Sequence, residues 1–350
     1  MKIHEKYMRR CIELGKKALA FSAPNPMVGS LITHQGIIIG EGYTSKYGGP
    51  HAEVNAINSV ADKSLLKEAT LYVTLEPCSH YGKTPPCADL IITNNLQKVI
   101  IGIQDPNPEV SGRGIKKLKE AGCEVLVGVL EKECRRHHKR FLTFQEKNRP
   151  FIILKWAETK DGFIAPIADW RKTKPEPYWI SNSYARQRVH QWRSEQQAIL
   201  VGTNTALEDN PRLDVRYWKG TFPIRIIIDK TLKLPIDFHI YDNSTRTIIL
   251  TKVKDETKYQ EGLQYEIIDF EKNLAEETCR ILFQNNIASV LIEGGALTLA
   301  TFINAGLWDE ARIITGDTVF DTGTKAPHIE GQPVDIEIIG NNTIKTLLND

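Results

Sequence analysis

Two short stretches decide how this chain reads: Gly48-Gly49-Pro50-His51-Ala52-Glu53, and Glu76-Pro77-Cys78-Ser79-His80-Tyr81-Gly82-Lys83-Thr84-Pro85-Pro86-Cys87. One imidazole and two thiolates form the soft donor set of a tetrahedral zinc ion. Three protein ligands leave a fourth position open for water, the pattern of a catalytic rather than a structural site. Glu53, two residues after His51, is then free to move protons. A closed structural site would need a fourth ligand, for which His80 is available, and would leave Glu53 without a role. Local punctuation supports convergence of the three ligands. His51 follows Gly-Gly-Pro and opens a predicted helix, Cys87 follows Pro-Pro and opens another, and Cys78 follows the apolar strand 71–75. Helix N-termini carry partial positive charge, which favours the thiolate that metals bind.

Length and composition set the frame. A chain of 350 residues, 41% hydrophobic, is long enough for two domains, each with its own core. Net charge is +2 overall, but it divides into +7 over residues 1–150 and −5 over 151–350. The densest basic piece, residues 132–140, is expected to be the solvated face of the last helix of the first domain. The N-terminus has no apolar stretch of signal-peptide length; Tyr7, Met8, Cys11, Leu14, Ala18 and Leu19 recur at helical spacing among lysines and arginines. A cytoplasmic protein follows, with Cys11, Cys123, Cys134 and Cys279 as ordinary core or surface thiols.

Both halves alternate strand and helix. In the first, a hairpin joins 28–33 to 37–42 through His34-Gln35-Gly36, followed by a helix over 52–60, a strand over 70–75, a helix after Cys87, a strand over 98–103, a helix near 115–121 and a strand over 124–129. The polar Glu146-Lys147-Asn148-Arg149-Pro150 breaks the pattern, which places domains at 1–146 and 151–350. The second half has strands at 151–156, 198–201, 224–228, 247–250 and 288–292, with helices around 184–193 and 297–305. Such alternation predicts α/β architecture, a largely parallel sheet with helices on both faces in each domain. No G-x-G-x-x-G follows a strand, so a Rossmann dinucleotide site is not expected. Instead the strand Ser289-Val290-Leu291-Ile292 runs through Glu293-Gly294-Gly295 into a helix, either a tight turn or a phosphate-binding one.

The H-x-E pair followed by Pro-Cys is the pattern of zinc nucleobase deaminases, whose glutamate is acid and base rather than ligand. Here the cysteines stand wider apart, and residues 76–87 resemble the deaminase half of the bifunctional deaminase-reductase family of riboflavin biosynthesis. The second half is similar to that family's reductase domain in the order of its segments: Leu154-Lys155-Trp156-Ala157, Asp161-Gly162, Trp179-Ile180-Ser181, residues 189–193 and 199–205, Asp209-Asn210-Pro211-Arg212-Leu213 to Arg216, and Glu293-Gly294-Gly295. The resemblance implies two three-layer α/β/α domains, one cytidine-deaminase-like and one dihydrofolate-reductase-like, with Zn2+ and NADPH as cofactors. It implies hydrolytic deamination of 2,5-diamino-6-(5-phosphoribosylamino)pyrimidin-4(3H)-one, then reduction of the ribosyl to the ribityl chain. By position, His51, Cys78 and Cys87 would hold the metal, Glu53 would be catalytic, and Asn25, His80, Lys83, Asp105 and Asn107 would contact the deaminase substrate. Ala157, Trp179, Thr205, Asp209, Gly294 and Gly295 would line the cofactor site, while Arg193, Leu213, Arg216 and Glu293 would face the reductase substrate. The two arginines would take its 5′-phosphate. Lys155 and Asp161 would orient or protonate the sugar.

Two departures from the family stand out. Thr44 occupies the place, seven residues before His51, where relatives often carry histidine. Pro177 stands where many have a substrate-contacting serine, so that contact must be lost or else replaced by Arg171, Lys172 or Lys174. The rival function is a polynucleotide deaminase acting on tRNA or single-stranded DNA, with phosphates held by the basic first half. It leaves the acidic second half without a role, and no aromatic residues interleave with basic ones as a stacking platform requires. We therefore expect a small phosphorylated pyrimidine as substrate, no nucleic acid or membrane partner, and a homo-oligomer.

Overall fold

Runs of aromatic and β-branched residues such as Tyr72-Val73 and Val99-Ile100-Ile101 suit strands buried on both faces, and both runs are buried in a computed structural model that describes residues 1–81, 85–107, 110–167 and 175–349. The chain divides into two compact units, Met1–Asn148 and Arg149–Asp350. In the first, helix α1 (Lys2–Lys16) precedes strands β1 (Gly29–His34) and β2 (Ile37–Tyr43), helix α2 (Ala52–Ser59), β3 (Thr70–Leu75), α3 (Cys87–Thr93), β4 (Lys98–Ile103), α4 (Arg113–Glu120), β5 (Glu124–Val127), α5 (Glu131–His137) and α6 (Lys139–Lys147). The sheet order is β2-β1-β3-β4-β5. β1 is antiparallel to β2 and to β3, whereas β3, β4 and β5 run parallel. The β1–β2 hairpin turns on Gln35 (φ 49°) and Gly36 (φ 80°), the left-handed pair that a tight two-residue loop needs.

The basic stretch near the end of this unit differs from the expected solvated face. Lys132, Arg135 and Arg136 are exposed, but His137 and His138 are buried at the break between α5 and α6. His137 Nε2 lies 2.7 Å from the Met27 carbonyl, and His138 Nε2 lies 2.9 Å from Thr74 Oγ1. The break turns these two rings onto the sheet while Lys132, Arg135 and Arg136 stay exposed.

The second unit contains β6 (Phe151–Glu158), β7 (Phe163–Pro166), α7 (Ser183–Ser194), β8 (Ala198–Gly202), α8 (Thr203–Asp209), β9 (Ile224–Ile228), β10 (Thr247–Thr251), β11 (Gln264–Ile267), α9 (Leu274–Gln284), β12 (Ser289–Ile292), α10 (Ala296–Asn304), β13 (Glu310–Thr315), β14 (Gly323–Lys325), β15 (Gln332–Ile339) and β16 (Asn342–Leu348). Its main sheet runs β11-β10-β9-β8-β12-β6-β13-β16-β15 and is parallel from β11 to β13. The β15–β16 hairpin adds antiparallel strands at one edge. Successive residues of a strand point to opposite faces. Accordingly Ile152, Leu154 and Trp156 of β6 pack with Leu282 and Phe302 of α9 and α10, while Phe151 and Ile153 pack with Val189 and Trp192 of α7. Helices thus cover both faces, giving three layers. Arg149, the first residue of this unit, forms a two-pronged ion pair with Asp309 at 2.6 and 2.8 Å.

Candidate active sites

In open α/β sheets, reactive groups gather where parallel strands end. Cys78 follows β3, Asp105 follows β4, His51 caps α2 and Cys87 is the first residue of α3. His51 Nδ1 lies 3.6 Å from Cys78 Sγ and 3.3 Å from Cys87 Sγ, and all three ligand atoms fall within 4.8 Å of one another. A tetrahedral zinc ion with its usual bond lengths spaces nitrogen and sulfur by about 3.5 Å. The donor set therefore fits zinc in both chemistry and spacing. Among the described residues no fourth histidine, cysteine or carboxylate joins the cluster, and His80 is exposed.

The electrostatics suit the same ion. The Cys87 backbone N–H donates to Cys78 Sγ at 3.3 Å. A hydrogen bond from the Cys87 side chain, with lesser help from His51, holds the Cys78 thiol below its ordinary range against the effect of burial. The same bond and then burial push the Cys87 thiol well up. Glu53 is buried and hydrogen-bonded with Cys87; burial, with the Cys78 charge adding, raises it to about 7. A carboxyl poised there can both accept and give a proton near neutral pH.

The expected substrate contacts of this unit are placed as follows. Asp105 is buried, which raises it to about 6, and its Oδ1 accepts from the Asn107 N–H at 2.8 Å. His80 acts electrostatically on the same Asp105. Asn25 is half-buried, and Lys83 lies outside the described residues. Thr44 proves to be a clamp: its hydroxyl donates to the Pro26 carbonyl and accepts from the Val28 N–H, both at 3.0 Å. A histidine contact at that place is thus replaced by a buried anchor for the strand entry that follows Asn25.

The six residues expected at the cofactor site and the four expected to face the substrate all line one cleft of about 210 Å³, as does Lys155. Ala157 comes from β6, Trp179 precedes α7, Thr205 and Asp209 belong to α8, and Glu293, Gly294 and Gly295 form the turn between β12 and α10. A Cβ on Gly294 would sit 2.6 Å from Thr298 Cβ, so only glycine allows this turn to close. The Gly295 N–H donates to Thr205 Oγ1 at 2.7 Å, joining two of the expected cofactor residues. Leu213 adopts a left-handed backbone (φ 54°), an unusual conformation for a bulky residue. Pro177 also lines the cleft, whereas Arg171, Lys172 and Lys174 lie outside the described residues.

Arg193 is engaged otherwise than expected. Its Nε and Nη2 bind the two oxygens of Glu293 at 2.7 and 2.9 Å, and its Nη1 donates to the Asp214 carbonyl. Lys155 adds a third contact to Glu293 at 3.2 Å. Burial alone would raise Glu293, but the two cations outweigh it and hold the carboxylate well below its ordinary range. Arg216, beside Asp214 and over the Tyr217 ring, is about one-third exposed and is the more available of the two arginines. Asp161 is not among the cleft-lining residues; it accepts from Phe320 and Asp321 backbone N–H groups and ties a loop. His190 was missed by sequence reasoning. It lies on the cleft-facing stripe of α7 with Arg186, Val189 and Arg193, and burial, reinforced by Arg193 and Arg216, lowers it to about 4, so the ring is neutral. That stripe's helical spacing was available in the sequence.

One α/β unit thus carries a cluster ready for a metal ion beside a buried carboxyl, and the other a cleft at its strand ends, two sites of different chemistry. Comparison with known proteins agrees. Residues 1–103 match the family model for the cytidine and deoxycytidylate deaminase zinc-binding region, and residues 150–335 match the RibD C-terminal domain. The chain is 37% identical over 353 residues to the riboflavin biosynthesis protein RibD of Aquifex aeolicus, covering 99% of this chain and 93% of that protein. It is 34% identical to RibD of Escherichia coli, covering 87% and 85%. The crystal structure of a diaminohydroxyphosphoribosylaminopyrimidine deaminase/5-amino-6-(5-phosphoribosylamino)uracil reductase from Thermotoga maritima superimposes with a TM-score of 0.88 at 36% identity, covering 99% of each chain. The chain belongs to the RibD family of bifunctional riboflavin-biosynthesis enzymes, with a zinc-dependent pyrimidine deaminase domain and an NADPH-dependent reductase domain. The polynucleotide rival is not favoured, since the match extends through the second unit. Among the described residues no helix is long and apolar enough to cross a membrane.

Proposed function

We propose that His51, Cys78 and Cys87 hold the zinc ion and that Glu53 carries the protons of the deamination. The observation that carries this reading is the convergence of the three ligand atoms within 4.8 Å beside a buried carboxyl raised to about 7. When bound, zinc supplies the Lewis acidity that makes water a nucleophile at neutral pH. Glu53 shuttles both protons of the water in turn, the first to the ring nitrogen as the C2–O bond forms and the second to the amine as the C2–N bond breaks, so that ammonia leaves C2 of the pyrimidine and a carbonyl remains. Asn25, His80, Lys83, Asp105 and Asn107 bind that substrate.

In the second unit, Ala157, Trp179, Thr205, Asp209, Gly294 and Gly295 hold NADPH, which supplies the hydride that reaches C1′ of the ring-opened sugar. Arg216 takes the 5′-phosphate, and Leu213 and Glu293 form the wall of the substrate site. Arg193 serves that wall by fixing Glu293, and Lys155, held on the same carboxylate, orients the open-chain sugar. A homo-oligomer in the cytoplasm is in keeping with six unpaired cysteines and with exposed Val334, Ile336 and Ile338 along the edge strand β15. The test is incubation of pure protein with the diaminopyrimidinone phosphate, with and without NADPH, and resolution of products by mass. Deaminated product alone without NADPH, and ribityl product with it, is the expected result; unchanged substrate in both would defeat the reading.

A further inference from the structure

Glu76 is the acidic member of the Glu76-Pro77-Cys78 run, and neither the metal nor the proton transfer uses it. Its side chain is turned inward and is 4% exposed. Burying a carboxylate is costly unless its oxygens are hydrogen-bonded. Among the described residues every partner is backbone: Oε2 accepts from the N–H groups of Asp105 at 3.2 Å and Gly112 at 3.0 Å, and Oε1 accepts from Ile115 at 3.1 Å. Among the described residues it has no ion-pair partner. Asp105 opens the segment that carries the proposed substrate contacts, while Gly112 and Ile115 belong to the first turn of α4, so one carboxylate ties two places to the end of β3. A second feature seals the same joint. Gly114 approaches so closely that a Cβ there would lie 2.0 Å from the Pro77 carbonyl oxygen.

We propose that Glu76 is a positioning residue for the deamination: it sets the distance between the strand end bearing Cys78 and the segment bearing Asp105 and Asn107. The proposal rests on the deaminase reading above. Glutamine is a poor substitute because its one amide oxygen can keep either the Asp105 and Gly112 donors or the Ile115 donor, but not all three. Its amide nitrogen would face donors instead of accepting from them.

The test is Glu76→Gln in the full-length, zinc-loaded protein, alone and combined with Asp105→Ala. Zinc content should stay at the wild-type level, reduction of supplied deaminated substrate should be unchanged, and KM for the diaminopyrimidinone phosphate should rise roughly ten-fold or more, in line with loss of charge-assisted hydrogen bonds. Because Glu76 acts through Asp105, the double variant should be little worse than Asp105→Ala alone. Wild-type KM and kcat in a merely less stable Glu76→Gln protein would overturn the proposal, as would zinc loss or fully additive effects. Should Glu76→Gln not fold, Gly114→Ala opens the same joint with the carboxylate intact and should raise KM likewise; a wild-type KM there overturns it. Absence of deamination in the wild-type protein would instead defeat the underlying reading.

Discussion

The candidate metal-binding atoms of the first unit all come from the stretch between His51 and Cys87, whereas the cleft of the second unit draws its walls from Lys155 through to Gly295. The first site depends on residue types that are scarce and chemically committed. Two thiolates and an imidazole, placed at strand and helix ends, have few alternative uses. The second is assembled from arginines, a threonine and glycines, each common on any surface, and gains meaning only when the sheet brings them together. Substitutions in the first site should therefore act on chemistry, and those in the second on affinity.

The strongest expected effect follows from Glu53. Glu53→Gln keeps shape and hydrogen bonding but cannot cycle a proton. Deamination should fall by about three powers of ten or more, while reduction of supplied deaminated substrate should proceed at the wild-type rate. If reduction fell in parallel, the two sites would not be independent and the contrast between them would dissolve.

A second expected effect concerns acid stability of the first unit. His137 is held at about 4 by burial, with the positive charges of Lys16 and Arg140 adding, whereas an unfolded histidine titrates near about 6.5. Between these values the unfolded chain binds a proton that the folded chain refuses. The stabilising contribution is therefore complete above about pH 6.5 and is lost as pH falls toward 4. Over that window the wild type should lose about 3 kcal/mol that His137→Gln does not lose. Urea unfolding at neutral and acid pH measures the difference, and equal pH dependence in both proteins would remove His137 from the account.

Next in size is Arg216→Ala. A charge-assisted contact to phosphate is worth about 1.5 to 3 kcal/mol, so KM for the reductase substrate should rise by about one to two powers of ten while NADPH affinity is unchanged. Weakened NADPH binding with substrate spared would invert the assignment of that cleft.

Legibility followed the same division. Strands β3, β4 and β9 are bounded as their apolar runs suggest, and the donor set was visible because metal chemistry is specific about residue type. Arg193 was read as a phosphate ligand because an arginine on a helix reveals its charge but not its partner; Glu293, far away in sequence, is what occupies it. The contacts of Asp161 were illegible for a similar reason, since its partners include backbone N–H groups that no residue name discloses. The sheet beyond residue 305 went unread. β15 and β16 lie at an edge, where one-sided burial gives a weaker apolar pattern than the doubly buried centre. His137 and His138 were hidden in a run of cations, and only the break between α5 and α6 separates them from it.

The smallest expected effect probes the joint between the two halves of the cofactor wall. Thr205 Oγ1 accepts from the Gly295 N–H at the start of α10, so the hydroxyl and the glycine turn share one hydrogen bond. Thr205→Val keeps the volume and removes the acceptor. A net hydrogen bond contributes about 0.5 to 1.5 kcal/mol, and NADPH affinity should fall by roughly two- to ten-fold. KM for the phosphorylated substrate, read at saturating NADPH, should stay at the wild-type value because Arg216 and Leu213 are untouched. Fluorescence titration with NADPH gives the first quantity and steady-state kinetics the second. A loss of several powers of ten would mean that the turn depends on this single contact, and the second site would then be as locally determined as the first.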